Sequence, residues 1–398
     1  MRPQERLALP RTTMRCKRRG RKSPWRYKKV VCTIVDINNK EKTVDAKKTL
    51  AELKEKIDPE LNAYFSRVIA ENEKIDKNVG NAIRYARDIT MSGGKRARAA
   101  FMYFGYMAAG GKEVEEIIKT SISIEFIHSF LLMHDDIIDR DEIRHGVKTI
   151  HVRYGELAKK HFKKKDPEHF GNSMGIIIGD MMGALGNQVL FESKFPSELI
   201  IKALHKIQNI VTLTVIGESE DVFIENRGQA TEEEILRMYE NKTAKYTIEG
   251  PLHLGAILAG SEGELMKILS AYAIPVGIAF QIQDDILGVF GQINKIGKPV
   301  GSDVRQGKQT ILVVKALEKA DKMEKAILQK CLGKKDLSQH ELEEFRNIII
   351  STGSLEYAKE LATTLIAKGK KKLEKSDIDP EAKEFLLGIA DHMLNRDI

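Results

Sequence analysis

The chain has 398 residues, of which 42% are apolar, 31% charged and 6% aromatic, with a formal charge of +8. That length suits one large domain or two ordinary ones, and the apolar fraction is too high for a disordered chain. No uninterrupted apolar stretch reaches the roughly 18 residues of a membrane span, so no transmembrane segment is expected; the three scattered cysteines, Cys16, Cys32 and Cys331, exclude a disulfide framework and a zinc cluster and fit a reducing cytoplasm.

The charge is concentrated at the N-terminus. Residues 1–30 hold twelve Arg and Lys against one acid, Glu5, so this arm carries +11 and the other 368 residues sum to −3. The arm lacks the apolar core of a secretory signal and contains Pro3, Pro10 and Pro24. Residues 1–40 therefore read as a disordered extension ahead of one domain, 41–398. A tether to nucleic acid or an acidic membrane, an organelle-targeting peptide and a non-functional extension all stay open for the arm. Nucleic acid is a partner only through it.

The body reads as helices in series. Leu50, Leu53 and Ile57 open one; Ile117, Ile118, Ile122, Ile124, Ile127 and Leu131 mark another; Ile201, Leu204, Ile207, Val211 and Val215 mark a third. Gly110-Gly111, Asp166-Pro167, Gly260 to Gly263 and Ile296 to Pro299 read as the connections. Gly171, Gly175, Gly179 and Gly183 recur every fourth residue and predict close helix packing. Alternating strand patterns are almost absent, which points to an all-α bundle of antiparallel helices.

Two acidic pairs stand out. In His134-Asp135-Asp136-Ile137-Ile138-Asp139, Asp135 and Asp139 are four apart and share one helix face. Like charges so placed repel unless a cation lies between them. Gln281-Ile282-Gln283-Asp284-Asp285 places a second pair at the end of another apolar run. Two such helices can face each other across a bundle, and with no His or Cys ligands in a metal-binding pattern the oxygen set favours magnesium. Cations follow in Gly93-Gly94-Lys95-Arg96-Ala97-Arg98, Arg144, Lys242-Thr243, Lys298 and Gly301 to Lys308. Guanidinium forks and ammonium groups suit phosphate oxygens, and beside paired carboxylates they suggest a diphosphate substrate. The spacing is not that of a P-loop.

These motifs, Gly-Gly-Lys-x-x-Arg, Asp-Asp-x-x-Asp, Lys-Thr, Gln-x-x-Asp-Asp and Lys-Pro-x-x-Ser-Asp-x-x-x-Gly-Lys-x-Thr, occur in the order found in trans-prenyl diphosphate synthases. From about residue 42 to the end the chain resembles that family, and in detail its archaeal short-chain members that make geranylgeranyl diphosphate. The resemblance implies the class I isoprenoid synthase fold of long antiparallel helices around a central cavity, usually as a homodimer. It implies an allylic diphosphate held through Mg2+ by Asp135, Asp139 and Asp284, with Asp136 and Asp285 in support. Arg144, Lys242, Thr243, Gln281, Lys298 and Lys308 match positions that bind or polarise that diphosphate. Isopentenyl diphosphate would sit on Lys95 and Arg98, with His128 at the family's His or Gln position. The implied chemistry is ionisation of the allylic C–O bond, attack by the isopentenyl double bond and loss of a proton, which in the family the released diphosphate is thought to take.

The departures from the pattern are specific. Gly288 stands where many members carry a third Asp in the second acidic motif. His145 replaces a second Arg, and one donor in place of a fork predicts weaker or pH-dependent isopentenyl diphosphate binding. Gly217-Glu218-Ser219-Glu220-Asp221 reads as the family's Gly-Gln-x-x-Asp with Glu for Gln. Residues 157–172, with Lys159, Lys160, Lys163, Lys164 and Lys165, read as an inserted solvated loop. Phe130 and Leu131 lie about one turn before Asp135 and Ile127 about two, so all three are expected below the metal site. With only Phe130 aromatic, the resemblance points to a twenty-carbon product, with fifteen carbons as the alternative. A class I terpene cyclase would need an Asn/Asp-Ser-Glu metal motif that is not found. A regulatory subunit would tend to lose the acidic motifs that are intact here.

Overall fold

The first helix, α1 (Ala46–Glu73), starts where the Asp45 carboxylate accepts the amides of Lys47 and Lys48. The computed structural model describes residues 45–163, 166–291 and 301–394. By its contacts the chain divides into Met1–Lys42 and Thr43–Ile398. The first unit, with the arm, Cys16 and Cys32, lies outside the described residues, as do Lys164, Lys165 and Lys298.

After α1 come α2 (Lys77–Met91), α3 (Ala97–Ala108) and α4 (Val114–Ile138). A two-stranded hairpin, Ile143–Arg144 with Val147–Lys148, turns through His145 and Gly146, both at positive φ, a two-residue turn that a following glycine favours. Then come α5 (Ile150–His161), α6 (Pro167–Glu192) and α7 (Ser197–Arg227). A capping box of Thr231 and Glu234 opens α8 (Glu232–Tyr239), which runs without a break through a π-helical segment, Glu240–Glu249, into α9 (Gly250–Leu258). The long α10 (Glu264–Phe290) follows. Six helices close the chain: α11 (Ser302–Gln306), α12 (Ile311–Lys319), α13 (Lys322–Cys331), α14 (Gln339–Ser351), α15 (Ser354–Glu374) and α16 (Pro380–Leu394). Apart from the hairpin, the described regular structure is helical, and the fold is all-α.

The buried apolar face of α4 packs on α6, α10 packs on α15 and on the π segment, and α7 also packs on the π segment. Glycines set the closest crossings. The recurring glycines of α6 face α4 and α5: a Cβ on Gly175 would lie 2.6 Å from Ile137 Cδ1, and one on Gly171 would lie 2.2 Å from His151 O. Two more meet where α3 crosses α9. A Cβ on Gly105 would lie 2.1 Å from Leu252 O, and one on Gly255 would lie 1.9 Å from Met102 O. That backbone-to-backbone contact brings the start of α3 to the end of the π segment.

Two expectations are corrected, and the structure adds to a third. Residues 157–172 are not a loop. Helix α5 runs to His161, and the Asp166 carboxylate caps α6 at His169, with Pro167 in its first turn. Phe162 and Phe170 pack edge to face, 5.2 Å apart, across the short connection that is left. The face of α7 is rotated from the one read in sequence: Ile200, Ala203, Ile207 and Ile210 are buried, whereas Ile201 and Val215 are exposed. Finally, α6, α7 and α10 are each long and apolar enough to cross a membrane by length and composition. Counting uninterrupted runs misses this, because Asp180 in α6 and Gln281 in α10 interrupt stretches whose average is apolar.

The α3–α9 crossing has no room for side chains, and overpacking of this kind costs about 1–3 kcal/mol. Gly105→Ala and Gly255→Ala are each expected to lower the thermal unfolding temperature, read by circular dichroism. An unchanged midpoint in both would show that the crossing relaxes freely.

Candidate active site

The last turn of α4 carries three aspartates, and Asp139 is its C-cap. Carboxylates at a helix C-terminus meet the negative end of the helix dipole, so this arrangement needs nearby cations. Three supply them. From the hairpin, Arg144 donates to Asp136 Oδ1 at 2.5 Å, Asp135 Oδ2 at 3.3 Å and Asp141 Oδ2 at 3.3 Å. From the π segment, Lys242 Nζ lies 2.7 Å from Glu218 Oε2, 2.7 Å from Asp221 Oδ2 and 3.9 Å from Asp135 Oδ1. From the loop before α12, Lys308 Nζ lies 2.9 Å from Asp139 Oδ1, 3.1 Å from Asp221 Oδ2 and 3.3 Å from Glu225 Oε2.

These contacts fix the charge states. Asp221, Asp135 and Glu218 hold the Lys242 ammonium well above its ordinary range, although burial opposes them. Lys308 is raised in the same way by Asp221 and Asp139. The two lysines in turn hold Asp221 below the usual carboxylate range against its own desolvation. Asp136 is pushed up to about 7, because burial outweighs Arg144. Glu218 is raised by burial and by the neighbouring Asp135 and Asp221.

Carboxylate oxygens of Asp135, Asp139 and Glu218 lie within 4.8 Å of one another. Glu218 Oε1 and Asp136 Oδ2 are buried with no hydrogen-bond partner. An all-oxygen set with an unsatisfied buried oxygen fits a hard divalent cation. Asp284 lines the same cavity as Asp135 and Glu218 but is not a member of that triad.

Behind the second acidic pair runs a buried chain of hydrogen bonds. Thr243 donates to Gln281 Oε1 at 2.6 Å, and Gln281 Nε2 donates to Asp285 Oδ1 at 2.8 Å. The Tyr239 hydroxyl donates to Asp285 Oδ2 and accepts the Ile311 amide at 3.0 Å. Tyr239 thus joins α8, α10 and α12. Asp285 is a bracing group inside the helix bundle; Asp284 faces the cavity.

The cationic loop before α3 is built on Arg96. Its backbone is left-handed, with φ +54. Its buried guanidinium donates to Asp58 Oδ1 at 2.7 Å and Thr90 O at 2.9 Å and pairs with Glu125 at 3.4 Å. Lys95 beside it is exposed. Arg98 stacks over the Tyr246 ring at 4.4 Å, donates to Thr247 Oγ1 at 3.0 Å and meets His128 Nε2 at 3.1 Å. Arginine can only donate, so Nε2 accepts, and Nδ1 carries the proton toward the Tyr246 oxygen at 2.6 Å. Burial and the Arg98 charge push the His128 imidazole well down, which keeps it neutral. His145 lies against the same loop: a Cβ on Gly93 would meet its ring at 2.5 Å. Burial and Arg144 lower its imidazole too.

Between these groups opens a cavity of about 720 Å³, lined by Arg98, His128, Asp135, Lys242, Gln281 and Asp284 among polar groups. Phe130, Leu131, Val215, Val222 and Phe280 add apolar wall. Phe130 lies against Gly183, where a Cβ would be 3.4 Å from its ring. Ile127 is placed elsewhere: its side chain is buried toward α6, 2.9 Å from where a Gly186 Cβ would stand. Lys298 lies outside the described residues. Sequence reading missed Tyr239, Tyr246 and Thr247 as members of the site. Their only signal is proximity to Lys242-Thr243, and the wide π turns decide which of them face inward.

The bracing chain makes a direct prediction. Tyr239→Phe removes a donor from buried Asp285 and an acceptor from the Ile311 amide, each worth about 1–3 kcal/mol when left unsatisfied. Urea unfolding should show a loss on that scale, and a wild-type midpoint would mean the hydroxyl braces nothing.

Comparison with known proteins follows this geometry. A model of the polyprenyl synthetase family matches residues 81–349. A geranylgeranyl diphosphate synthase of Sulfolobus acidocaldarius is 36% identical over 334 residues, covering 81% of this chain and 96% of its own. A geranylgeranyl pyrophosphate synthase of Geoglobus acetivorans is 34% identical over 331 residues, covering 82% and 96%. The crystal structure of a Corynebacterium glutamicum geranylgeranyl pyrophosphate synthase complexed with isoprenyl diphosphate and magnesium superposes with a TM-score of 0.83 at 31% identity, covering 87% of this chain and 99% of that one.

Proposed function

The chain belongs to the polyprenyl synthetase family, and we propose that it is a prenyltransferase that joins an allylic diphosphate to isopentenyl diphosphate and releases geranylgeranyl diphosphate. The observation that carries this reading is the cavity itself. Its lining joins the carboxylates of Asp135, Glu218 and Asp284 and the Lys242 ammonium group to an apolar wall that includes Phe130, Leu131 and Phe280. A diphosphate head with a hydrocarbon tail has the same division of chemistry along its length.

In this reading Asp135, Asp139 and Asp284 hold divalent cations, with Mg2+ favoured by the all-oxygen set. Bound there, magnesium would offset the charge that gathers on the leaving diphosphate as the allylic C–O bond ionises. Lys242, Lys308 and Arg144 are the chain's own part in that stabilisation. In the structure each is held by carboxylates, so their positions are set before the substrate arrives and little reorganisation remains. Thr243 and Gln281 line the wall next to the developing charge. Asp136 and Asp285 sit behind, the first on Arg144 and the second on Gln281 and Tyr239.

Lys95, Arg98 and His128 are assigned to isopentenyl diphosphate. The neutral His128 accepts from Arg98 and so orients the guanidinium without cancelling its charge. His145, against Gly93, adds one imidazole to this side. The ring is neutral near pH 7, so acid pH would strengthen its contribution. The apolar wall excludes water, which would otherwise quench the allylic cation. We also propose a homodimer, supported by exposed apolar side chains on α6 and α7 away from the cavity: Phe191 and Ile201 are each 66% exposed. Light scattering of the purified chain would report the dimer mass; a monomer would overturn it.

The deciding experiment supplies the protein with magnesium, labelled isopentenyl diphosphate and dimethylallyl, geranyl or farnesyl diphosphate, and then sizes the products. A twenty-carbon product is expected; a fifteen-carbon end product would select the farnesyl alternative. No elongation from any primer would sink the assignment. Phe130→Ala removes the aromatic ring from the cavity wall and is expected to lengthen the product by at least one five-carbon unit. Unchanged product length would free Phe130 of any stopping role.

A further inference from the structure

Gly217 marks a close crossing of α7 and the π segment. A Cβ on Gly217 would lie 2.4 Å from the Lys242 amide nitrogen, so α7 touches the π segment there, and the next residue, Glu218, faces the carboxylates of α4. We infer that Glu218 is a third protein carboxylate of the cation site, and that this chain binds one divalent cation before any diphosphate arrives. The inference rests on the proposed role of Asp135 and Asp139 as metal ligands.

Four observations carry it. The oxygens of Asp135, Asp139 and Glu218 approach within 4.8 Å of one another, a spread that the ~2.0–2.1 Å oxygen bonds of magnesium close after small side-chain rotations. Glu218 Oε1 is buried and accepts no hydrogen bond. The other oxygen, Oε2, lies 2.7 Å from Lys242, but Asp221 already lies 2.7 Å from that ammonium group and Asp135 lies 3.9 Å from it. Lys242 therefore does not need Glu218 as a counter-charge. The balance of the cluster points the same way: Asp135, Asp139, Glu218, Asp221 and Glu225 share the ammonium groups of Lys242 and Lys308. Even with Arg144 against Asp135, negative charge is in excess among the described residues of the cluster, and a divalent cation would offset it.

A glutamine, which the family pattern carries at this position, offers one neutral carbonyl oxygen. Two aspartates and an amide leave a magnesium ion dependent on phosphate oxygens to complete its shell. Glutamate adds a full charge and a second oxygen. It can remain on Lys242 in the empty site and turn to the cation when one binds. Lys242 then keeps Asp221 and is freer to meet a diphosphate.

The test uses Mn2+ as the probe, with the full chain stripped of metal and no diphosphate present. Free Mn2+ is counted by electron paramagnetic resonance, and circular dichroism checks that each variant is folded. Wild type is expected to bind one Mn2+ per chain. Glu218→Gln should weaken that binding by at least about tenfold, the scale on which even outer-shell partners of a metal act. Glu220→Gln, which changes a carboxylate of the same helix that pairs with Arg237 outside the cluster, should leave it within about twofold. Equal losses in both variants would mean that Glu218 acts only through the general field, and the inference would fall. Wild-type Mn2+ binding in Glu218→Gln, with binding lost in Asp135→Asn, would overturn the inference and leave the proposed metal site intact. Unchanged binding in Asp135→Asn, Asp139→Asn and Glu218→Gln alike would overturn both. If Glu218→Gln fails to fold, the wild-type count decides: no binding without diphosphate overturns the inference.

Discussion

Five carboxylates held around two ammonium groups are the contact on which the site depends. Asp135 and Asp139 come from α4, Glu218, Asp221 and Glu225 from α7, Lys242 from the π segment and Lys308 from the loop before α12. No one element could bury its share of this charge alone, because an isolated buried ion is far too costly. The elements must meet together or not at all. Such a cluster adds little net stability, since desolvation consumes most of the attraction. Its value is specification, because it fixes where four separate segments end relative to one another.

The opposite wall of the cavity is built on another principle. Arg98 is hydrogen-bonded to His128 and Thr247 and stacked on Tyr246, all neutral groups. Its partners orient the guanidinium and leave its charge to act outward. Lys242 and Lys308, by contrast, are already neutralised by carboxylates. An anion arriving near Arg98 meets a prepared cation. One arriving near Lys242 must either compete with carboxylates or bring a cation with it. Under the proposed function the two ends of the cavity would suit a bare diphosphate and a metal-bridged one respectively, although both are lined with basic side chains.

Much of this was legible in the sequence. Helical spacing anticipates the helices, and the motifs bring Asp135, Asp284, Lys242, Thr243 and Arg98 to one cavity, because those signals depend on local periodicity and charge. What was not legible depends on rotation and depth. Ile201 and Ile200 are equally apolar, and only the packed bundle decides that Ile200 is buried and Ile201 exposed. Ile127 and Phe130 lie on one helix, yet Ile127 turns toward α6 and Phe130 lines the cavity. Asp284 and Asp285 are neighbours of the same type, but only the second meets the Tyr239 hydroxyl deep in the core. Lys163 and its neighbours read as a loop because charge runs usually are solvated, whereas the Asp166 cap carries the helix almost up to them.

The π segment adds a constraint on chain length as well as on residue type. Ten consecutive residues, Glu240–Glu249, keep the wider winding between two ordinary α-helical stretches. Each π turn holds one residue more than an α turn needs. Removing a single residue there could be absorbed without breaking the helix, by tightening one turn. In an ordinary α-helix the same removal would swing the residues on one side by about 100° relative to the other. Here the tightened turn would keep the flanking helices in phase, and the change would fall within the segment, on which of Lys242, Thr243, Tyr246 and Thr247 face the cavity. The spacing of this segment is therefore as much a part of the site as any of its side chains.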